Sequence, residues 1–296
     1  MKKRLPLVSV LACTLFILFS CQKVNSVNDD GLLDKKKNKK DLCLISSFGY
    51  SNPSVPSQTI FTNHYDFTGR TLQVEAGVFS GGAIVKNTVF NVEWSPAGLA
   101  FTNATSHADT ILFATFDRKG RIDKIVPGNK PDFEFLPTAF EYTGNRLSGM
   151  RITLAGVDNV SYFNYDGKGN LTLINDLPTT SVPIPGKVEY QYASNQKASN
   201  QLYFDEPRKF SWNSFSLLQY IGLFPELQPV NLRTSTKVNW GNNYQAYYMN
   251  IANHQLDQQG KLVSYDVVSP GSSSTISHYN INWSCNSELV QNVGNQ

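Results

Sequence analysis

The chain has 296 residues, 41 % of them hydrophobic, with 26 basic side chains against 23 acidic ones. Three of the basic residues, Lys2, Lys3 and Arg4, precede an apolar run from Leu5 to Phe19. Without them the chain carries 23 charges of each sign. Such a balance provides no electrostatic attraction for nucleic acid, so we exclude that class of partner.

The first twenty residues have the order of a secretory signal: a basic start, an apolar stretch and a small residue before a cleavage point. The apolar run is shorter than the roughly 20 residues that a membrane-spanning helix needs. The segment Leu18-Phe19-Ser20-Cys21 resembles the lipobox of bacterial lipoproteins. This resemblance implies cleavage before Cys21 and acylation of its thiol, so that a lipid ties the protein to a membrane. The alternative is an ordinary signal peptide that is cleaved elsewhere.

The residue after Cys21 bears on the location. Bacterial lipoproteins with an aspartate there tend to stay at the inner membrane, and here the position holds Gln22. The resemblance therefore implies the outer membrane, with either the periplasmic face or the cell surface as the exposed side.

Residues 21–41 are polar and include the run Lys35-Lys36-Lys37-Asn38-Lys39-Lys40. Too few apolar side chains are present to offset the entropy lost on ordering, so the composition predicts a flexible tether. The lysines act either as a solvated spacer or as a weak attraction toward anionic headgroups. The remaining residues, 42–296, are predicted to form a single domain.

Six short segments of this domain share one pattern, an aromatic residue or leucine followed by turn residues that end in glycine. Aspartate at the first turn position accepts a hydrogen bond from the backbone, and glycine supplies the positive φ that a hairpin turn needs. The segments are Tyr65–Arg70, Trp94–Leu99, Phe116–Ile122, Tyr142–Leu147, Tyr165–Leu171 and Leu256–Leu262. The first five recur every 22 to 29 residues, which is typical of an array of like units.

The stretches between these turns alternate between apolar and polar residues, as strands with one buried face do. The same-face sets are Val188, Tyr190 and Tyr192; Leu72, Val74 and Ala76; and Tyr279, Ile281 and Trp283. The sequence thus predicts an all-β domain, a consecutive antiparallel hairpin meander of about 12 to 16 strands. We expect it to be closed as a barrel, or curved strongly enough that its edges meet.

The segment Phe163–Leu171 resembles the YD repeats of RHS-type proteins. The whole body is similar to a family of Bacteroidetes envelope lipoproteins of unknown function that carry degenerate YD repeats. The resemblance implies a hairpin array in the cell envelope and brings no activity with it. The chain is too short for the large shell that RHS repeats build, which argues against encapsulation of a toxin.

The alternation fails between Pro207 and Lys237, where aromatic and aliphatic residues crowd together. Leu217, Ile221 and Phe224 recur at helical spacing. One short helix is predicted near 210–227, with Ser214 as its cap and Pro225 at its end.

This insert is interpreted as a plug or lid that buries apolar surface at one mouth of the sheet. The alternative is the wall of a cavity for a small apolar molecule. The candidate ligand-binding residues for that alternative are Trp212, Phe215, Tyr220 and Phe224.

Processing would leave two cysteines, Cys43 and Cys285, at the two ends of the domain. In an oxidising envelope such a pair forms a disulfide more often than not. If the first and last strands are neighbours, this bond would close the domain; the alternative is two buried reduced thiols.

No motif predicts catalysis, a metal or a cofactor. His64, His107, His254 and His278 stand singly, without the spacing of metal ligands. We therefore predict a non-catalytic envelope module that binds or scaffolds, with a glycan, a peptide or an apolar molecule as its ligand. The alternatives are a glycan hydrolase with dispersed carboxylates, for which Asp132 and Glu134 could share a strand face, and a carrier of an apolar ligand.

Overall fold

The computed structural model describes residues 43–54, 57–66, 68–129, 136–154, 156–177, 186–198, 201, 203, 214–240, 247–271 and 274–285. The strands of this part are β1 (Cys43–Ser51), β2 (Ser57–Tyr65), β3 (Thr71–Ser80), β4 (Ala83–Ser95), β5 (Gly98–Asn103), β6 (Ser106–Phe116), β7 (Ile122–Pro127), β8 (Thr138–Thr143), β9 (Arg146–Leu154), β10 (Val157–Tyr165), β11 (Leu171–Asp176), β12 (Gly186–Lys197), β13 (Asn231–Trp240), β14 (Tyr247–Leu256), β15 (Leu262–Val268) and β16 (Thr275–Cys285). Helix α1 (Ser214–Tyr220) and a 3₁₀ helix (Pro225–Leu227) lie between β12 and β13.

The sixteen strands form one closed antiparallel barrel in which each strand pairs with the next along the chain. The ring is completed by β1 and β16, which pair from Cys43 opposite Cys285 to Ser51 opposite His278. The predicted all-β hairpin meander is therefore confirmed, in its closed form. No helix in the described ranges is long and apolar enough to cross a membrane.

The predicted turn segments all lie at one end of the barrel. They connect each even-numbered strand to the following odd-numbered one, and successive strands run in opposite directions. We call this the tip end, and the other the far end. The start of β1, the end of β16 and the insert between β12 and β13 are at the tip end as well.

The turn between β10 and β11 shows how these turns are built. Oδ1 of Asp166 accepts hydrogen bonds from the backbone N–H groups of Lys168 and Asn170, both at 2.9 Å. Gly169 has a φ of 98°, a conformation that side chains other than glycine rarely adopt. The same pair of bonds to an aspartate recurs at Asp66, Asp117 and Asp257.

A β-bulge follows these turns. Tyr65 pairs with Thr71 and His64 with Gln73. Leu72, between these two partners, is therefore an extra residue that pairs with no residue of β2. The prediction that Leu72 shares the buried face of Val74 is therefore wrong: Leu72 is 48 % exposed and Val74 is fully buried. Alternation along the chain cannot be extended through a bulge.

Aromatic side chains connect neighbouring hairpins beside these bulges. The Tyr165 hydroxyl donates to the carbonyl of Leu147 at 2.9 Å, in the preceding hairpin. That carbonyl belongs to the residue just before the extra residue Ser148. We call this contact an aromatic clasp, and it recurs from Tyr65 to Ile45, Trp94 to Thr71, Tyr192 to Leu171 and Trp283 to Leu262.

The wall of the barrel is apolar inside and polar outside. On β12 and β13, Val188 and Val238 oppose each other and are buried. Next to them Glu189 and Lys237 oppose each other on the outer side, with Nζ 3.4 Å from Oε2. Arg151 likewise pairs on the outside with Glu141 and Asp158. The outer wall also exposes some apolar side chains, among them Phe113 opposite Val126.

Helix α1 ends earlier than the sequence predicts. The N–H of Leu223 donates to the carbonyl of Leu218 and that of Gly222 to Gln219, with Gly222 at a φ of 84°. This is a Schellman motif, which terminates a helix at glycine. The prediction that Pro225 ends the helix is wrong, because Pro225 instead begins the 3₁₀ helix, where its missing N–H is not needed. Ser214 is the first residue of α1.

Replacing Tyr165 by Phe tests the aromatic clasp. The variant keeps the ring but removes the hydroxyl, which leaves the carbonyl of Leu147 without this donor. We expect the free energy of unfolding to fall by about 1 to 2 kcal/mol, measured by urea denaturation. Tyr162→Phe on the outer side of the same strand is the control, and its effect should stay within about 0.5 kcal/mol. Equal effects of the two changes would show that the clasp contributes nothing.

Candidate functional site

The described part of the insert between β12 and β13 lies inside the barrel. Tyr220, at the end of α1, packs against Phe48 of β1 and Phe61 of β2, with ring centroids 6.4 and 5.7 Å away. Phe224 packs against Phe140 of β8 at 5.1 Å. Because β8 lies half-way round the ring from β1, the insert crosses the interior from one wall to the other.

The side chains of the insert are buried as deeply as those of the wall. Leu218 is fully buried, Phe224 is 1 % exposed and Tyr220 is 3 % exposed. A ring of sixteen strands is wide enough to leave an aqueous channel if only wall side chains fill it. In this chain the insert supplies side chains that occupy the interior as a core.

Two of the four candidate ligand-binding residues have described side chains. Tyr220 and Phe224 both lie inside the barrel, where each contacts residues of a different part of the wall. Trp212 and the side chain of Phe215 lie outside the described residues. The described contacts of Tyr220 and Phe224 are those of core residues.

Both ends of the insert are tied to the barrel by polar side chains. Oδ1 of Asn170, in the β10–β11 turn, accepts hydrogen bonds from the N–H groups of Val230 and Asn231 at 2.8 and 3.0 Å. Within the insert, Gln201 donates to the carbonyl of Pro229 at 2.9 Å and so joins its start to its end. The Tyr203 hydroxyl accepts a bond from the N–H of Arg233. The insert therefore begins and ends at fixed points of the tip end.

The role of Asn170 was missed from the sequence. At the equivalent position the other three aspartate turns carry Arg70, Arg121 and Lys261. The change from a basic residue to asparagine is the one sequence signal that this turn binds a segment outside its own hairpin. The partner lies about 60 positions away in sequence, so that the pattern alone could not identify it.

A second group of residues inside the barrel combines aromatic rings with a cation. The Arg233 guanidinium lies over the rings of Tyr190 and Tyr203, 4.3 and 4.6 Å from their centroids. Tyr203 also meets the rings of Tyr265 and His254. Burial lowers the pKa of His254 below its usual value, which favours a neutral ring at neutral pH. Stacking on two tyrosines stabilises the charge of Arg233 here.

The described histidines and carboxylates form pairs and do not assemble into a metal site. His64 pairs with Glu75 at 3.2 Å and His278 with Asp266 at 2.6 Å. In the described ranges no three of His, Cys, Asp and Glu cluster closely enough to hold a metal ion. The side chain of His107, and Asp132 and Glu134, lie outside those ranges.

The structure joins Cys43 to Cys285 by a disulfide at the tip end, with the Cα atoms 4.1 Å apart. The bond links the first residue of β1 to the last residue of β16. The buried ammonium of Lys261 lies 3.2 Å from Sγ of Cys285 and 3.5 Å from Sγ of Cys43. Asp257 balances that charge at 3.2 Å. We call the pairing of β1 with β16 the seam of the ring. A covalent bond therefore holds the seam, beside the turn between β14 and β15.

Comparison with known proteins gives a fold but no family. No protein-family model matches the chain, and no curated protein matches its sequence. A crystal structure of a porin-like protein from Bacteroides uniformis is similar with a TM-score of 0.59 at 13 % identity, covering 81 % of this chain and 97 % of that one. A porin-like protein from Bacteroides vulgatus gives a TM-score of 0.54 at 12 % identity, covering 81 % and 98 %. Similarity at these identities shows the fold alone.

The TcdB2-TccC3-Cdc42 complex gives a TM-score of only 0.30, over 74 % of this chain and 10 % of that one. A score of that size carries no argument about shared architecture. The resemblance to YD repeats and to a lipoprotein family stays a prediction.

Replacing Phe224 by Ala tests whether the insert is part of the core. We expect a loss of about 3 to 5 kcal/mol in the free energy of unfolding, because the ring is fully buried between insert and wall. Phe113→Ala, at an exposed outer position of β6, is the control and should cost less than about 1 kcal/mol. A Phe224→Ala variant as stable as the control would mean that the insert only lines the interior.

Two buried tyrosines predict a loss of stability at alkaline pH. Burial raises the pKa of Tyr65, although hydrogen bonds with Asn63 and Thr71 oppose the shift. Burial also raises the pKa of Tyr220, and Tyr65 adds to the shift. The folded chain therefore keeps protons that the unfolded chain releases above its tyrosine pKa of about 10. Stability conferred by these groups is complete below that pH and decreases as the pH rises above it.

The measurement is urea denaturation between neutral pH and about pH 11, compared with the Tyr65→Phe/Tyr220→Phe double variant. The double variant should lose less stability across this interval than the parent protein. Identical pH profiles of the two proteins would contradict the assignment.

Proposed function

We propose that this chain is a lipid-anchored protein of the outer membrane whose barrel stands in an aqueous compartment of the cell envelope. Its role there is that of a rigid, non-catalytic binding or scaffolding module. The observation that carries the proposal is the sidedness of the wall, with apolar residues inside and ion pairs outside.

A barrel that spans a membrane has the opposite arrangement, because lipid contacts its outer wall and water or polar residues fill its lumen. Here Lys237, Glu189, Arg151 and Asp158 lie on the outer face. A lysine or arginine on a lipid-facing wall costs about 2 to 4 kcal/mol at the bilayer centre. The insert also occupies the space that a pore would need. Both features favour a barrel surrounded by water.

Two further observations support the envelope location and the anchor. The porin-like proteins of Bacteroides that share this fold are similar over nearly their whole length. The segment that ends in Cys21 resembles a lipobox and is followed by a polar stretch before β1. A filled barrel without a membrane-facing wall needs such an anchor to stay at the membrane.

Lipidation is tested with the full chain and its Cys21→Ser variant in a Gram-negative host. The parent protein should enter the detergent phase of Triton X-114, and its N-terminal peptide should carry acyl chains by mass spectrometry. The variant should lose both properties. An unmodified Cys21 in protein from the membrane fraction would refute the anchor.

The aqueous location of the barrel is tested by reconstitution. Purified protein added to planar lipid bilayers should produce no stepwise conductance, and the barrel should stay soluble once the lipid is removed. Discrete channels that depend on the protein would contradict a filled barrel outside the membrane.

The binding of an apolar ligand inside the barrel remains the second candidate, favoured by the aromatic lining around Tyr220. Native mass spectrometry of protein purified without detergent distinguishes the two. A filled interior predicts the mass of the chain alone, whereas a carrier would show an added small molecule.

A further inference from the structure

Charged side chains are distributed unevenly between the two ends of the barrel. Four consecutive connections at the tip end, from β6 to β13, carry exposed or half-exposed basic residues. We call these residues the basic arc: Arg118, Lys119, Arg121, Arg146, Lys168 and Lys197. The described turns of the far end, at 52–54, 81–82, 104–105, 128–129, 156 and 269–271, hold no charged residue.

The acidic residues in the same turns cancel only part of the positive charge of the arc. Among the described side chains of these turns, Asp117 and Asp166 are the two carboxylates, against six basic groups. Both accept hydrogen bonds from backbone N–H groups of their own turns, and Asp117 also forms an ion pair with Arg121 of the arc. The described part of the arc therefore has an excess of four positive charges.

The arc is held in place by contacts from one hairpin to the next. Nη1 of Arg121 donates to the carbonyl of Gly144 at 2.7 Å, and its guanidinium lies over the ring of Tyr142. Nζ of Lys168 donates to the carbonyl of Ser194 at 3.2 Å. These two bonds fix Arg121 and Lys168 between neighbouring hairpins at the tip end.

We propose that the basic arc is a docking surface for an anionic phospholipid bilayer and sets the barrel with its tip end toward the membrane. The orientation of the barrel rests on the proposed lipid anchor, whereas the attraction of the arc for anionic lipid does not. Each lysine or arginine close to an anionic membrane surface contributes about 1 kcal/mol. That attraction extends only about 8 Å at physiological salt, so it requires the rim to face the bilayer.

The course of the chain favours a bilayer over other polyanions. Cys43 begins β1 at the tip end, and 22 positions separate it from Cys21. Random-coil scaling gives a chain of that length an end-to-end distance of about 26 Å, so a lipid on Cys21 would keep this end of the barrel near the membrane. The run Lys35–Lys40 lies within the same stretch. One acyl anchor with a basic surface is a recognised pair of signals for stable membrane attachment.

The test uses the mature chain from residue 21 with Cys21→Ser, so that no lipid contributes to binding. All proteins also carry Gln at the five lysines of the run Lys35–Lys40, which isolates the arc. The arc variant combines Arg118→Gln, Lys119→Gln, Lys168→Gln and Lys197→Gln. Arg121 and Arg146 are kept because they stack on Tyr142 and Tyr165. The matched control removes four other positive charges, with Lys86→Gln, Lys124→Gln, Lys187→Gln and Lys237→Gln.

Binding is measured by sedimentation with phosphatidylcholine vesicles, either pure or with one third phosphatidylglycerol. The parent should bind only the anionic vesicles, and more weakly as salt is added. The arc variant should bind at least about tenfold more weakly, while the control should stay within about twofold of the parent. Circular dichroism and thermal unfolding verify that all three proteins are folded.

Equal weakening in the arc variant and the control would overturn the proposal, since net charge alone would explain it. Equal binding to both vesicle types would overturn it too. Binding to soluble heparin without binding to anionic vesicles would show a polyanion partner instead of a lipid surface. Lipidation of Cys21 plays no part in this assay, so failure here would leave the anchor proposal intact.

Discussion

A hydrogen bond from the aromatic side chain of one hairpin to a backbone carbonyl of its neighbour is the interaction on which the tip end depends. The carbonyl lies beside a β-bulge, where the regular ladder is interrupted. Tyr65, Trp94, Tyr165, Tyr192 and Trp283 each supply such a donor. A buried carbonyl without a donor costs about 1 to 3 kcal/mol, so a tyrosine or tryptophan is preferred over phenylalanine. This explains the tyrosine or tryptophan at the start of three turn segments, those of Tyr65, Trp94 and Tyr165.

The same contact helps to define a ring, because each clasp fixes one hairpin against the previous one. Tyr65 reaches back to β1 and Trp283 holds β16 against β15, so the series extends to both edges of the seam. A ring of this size cannot be filled by wall residues alone. The insert between β12 and β13 fills it, and Asn170 fixes the point where the chain returns to the wall.

The sequence was sufficient for the hairpin turns and the antiparallel meander, because aspartate and glycine have local reasons for their positions, but it left open whether the sheet closes or only curves strongly. The β-bulges limited the prediction of which side chains are buried. Leu72 is exposed because the extra residue reverses the alternation of the two faces. The end of α1 was misplaced because Gly222 terminates the helix before Pro225 is reached. Tyr220 and Phe224 were singled out by aromatic density, but only the fold shows them packed against opposite walls. Tyr203, Arg233 and Asn170 depend on long-range contacts that no local pattern encodes.

The claim that a closed ring organises this protein is tested most directly at its seam. The chain is isolated from an oxidising envelope, alkylated without reduction and digested, and its cysteine peptides are identified by mass spectrometry. A closed ring predicts one cross-linked species that joins the peptide of Cys43 to that of Cys285. Recovery of both peptides as free, alkylated thiols, or of Cys43 bridged to another chain, would contradict the closure described here.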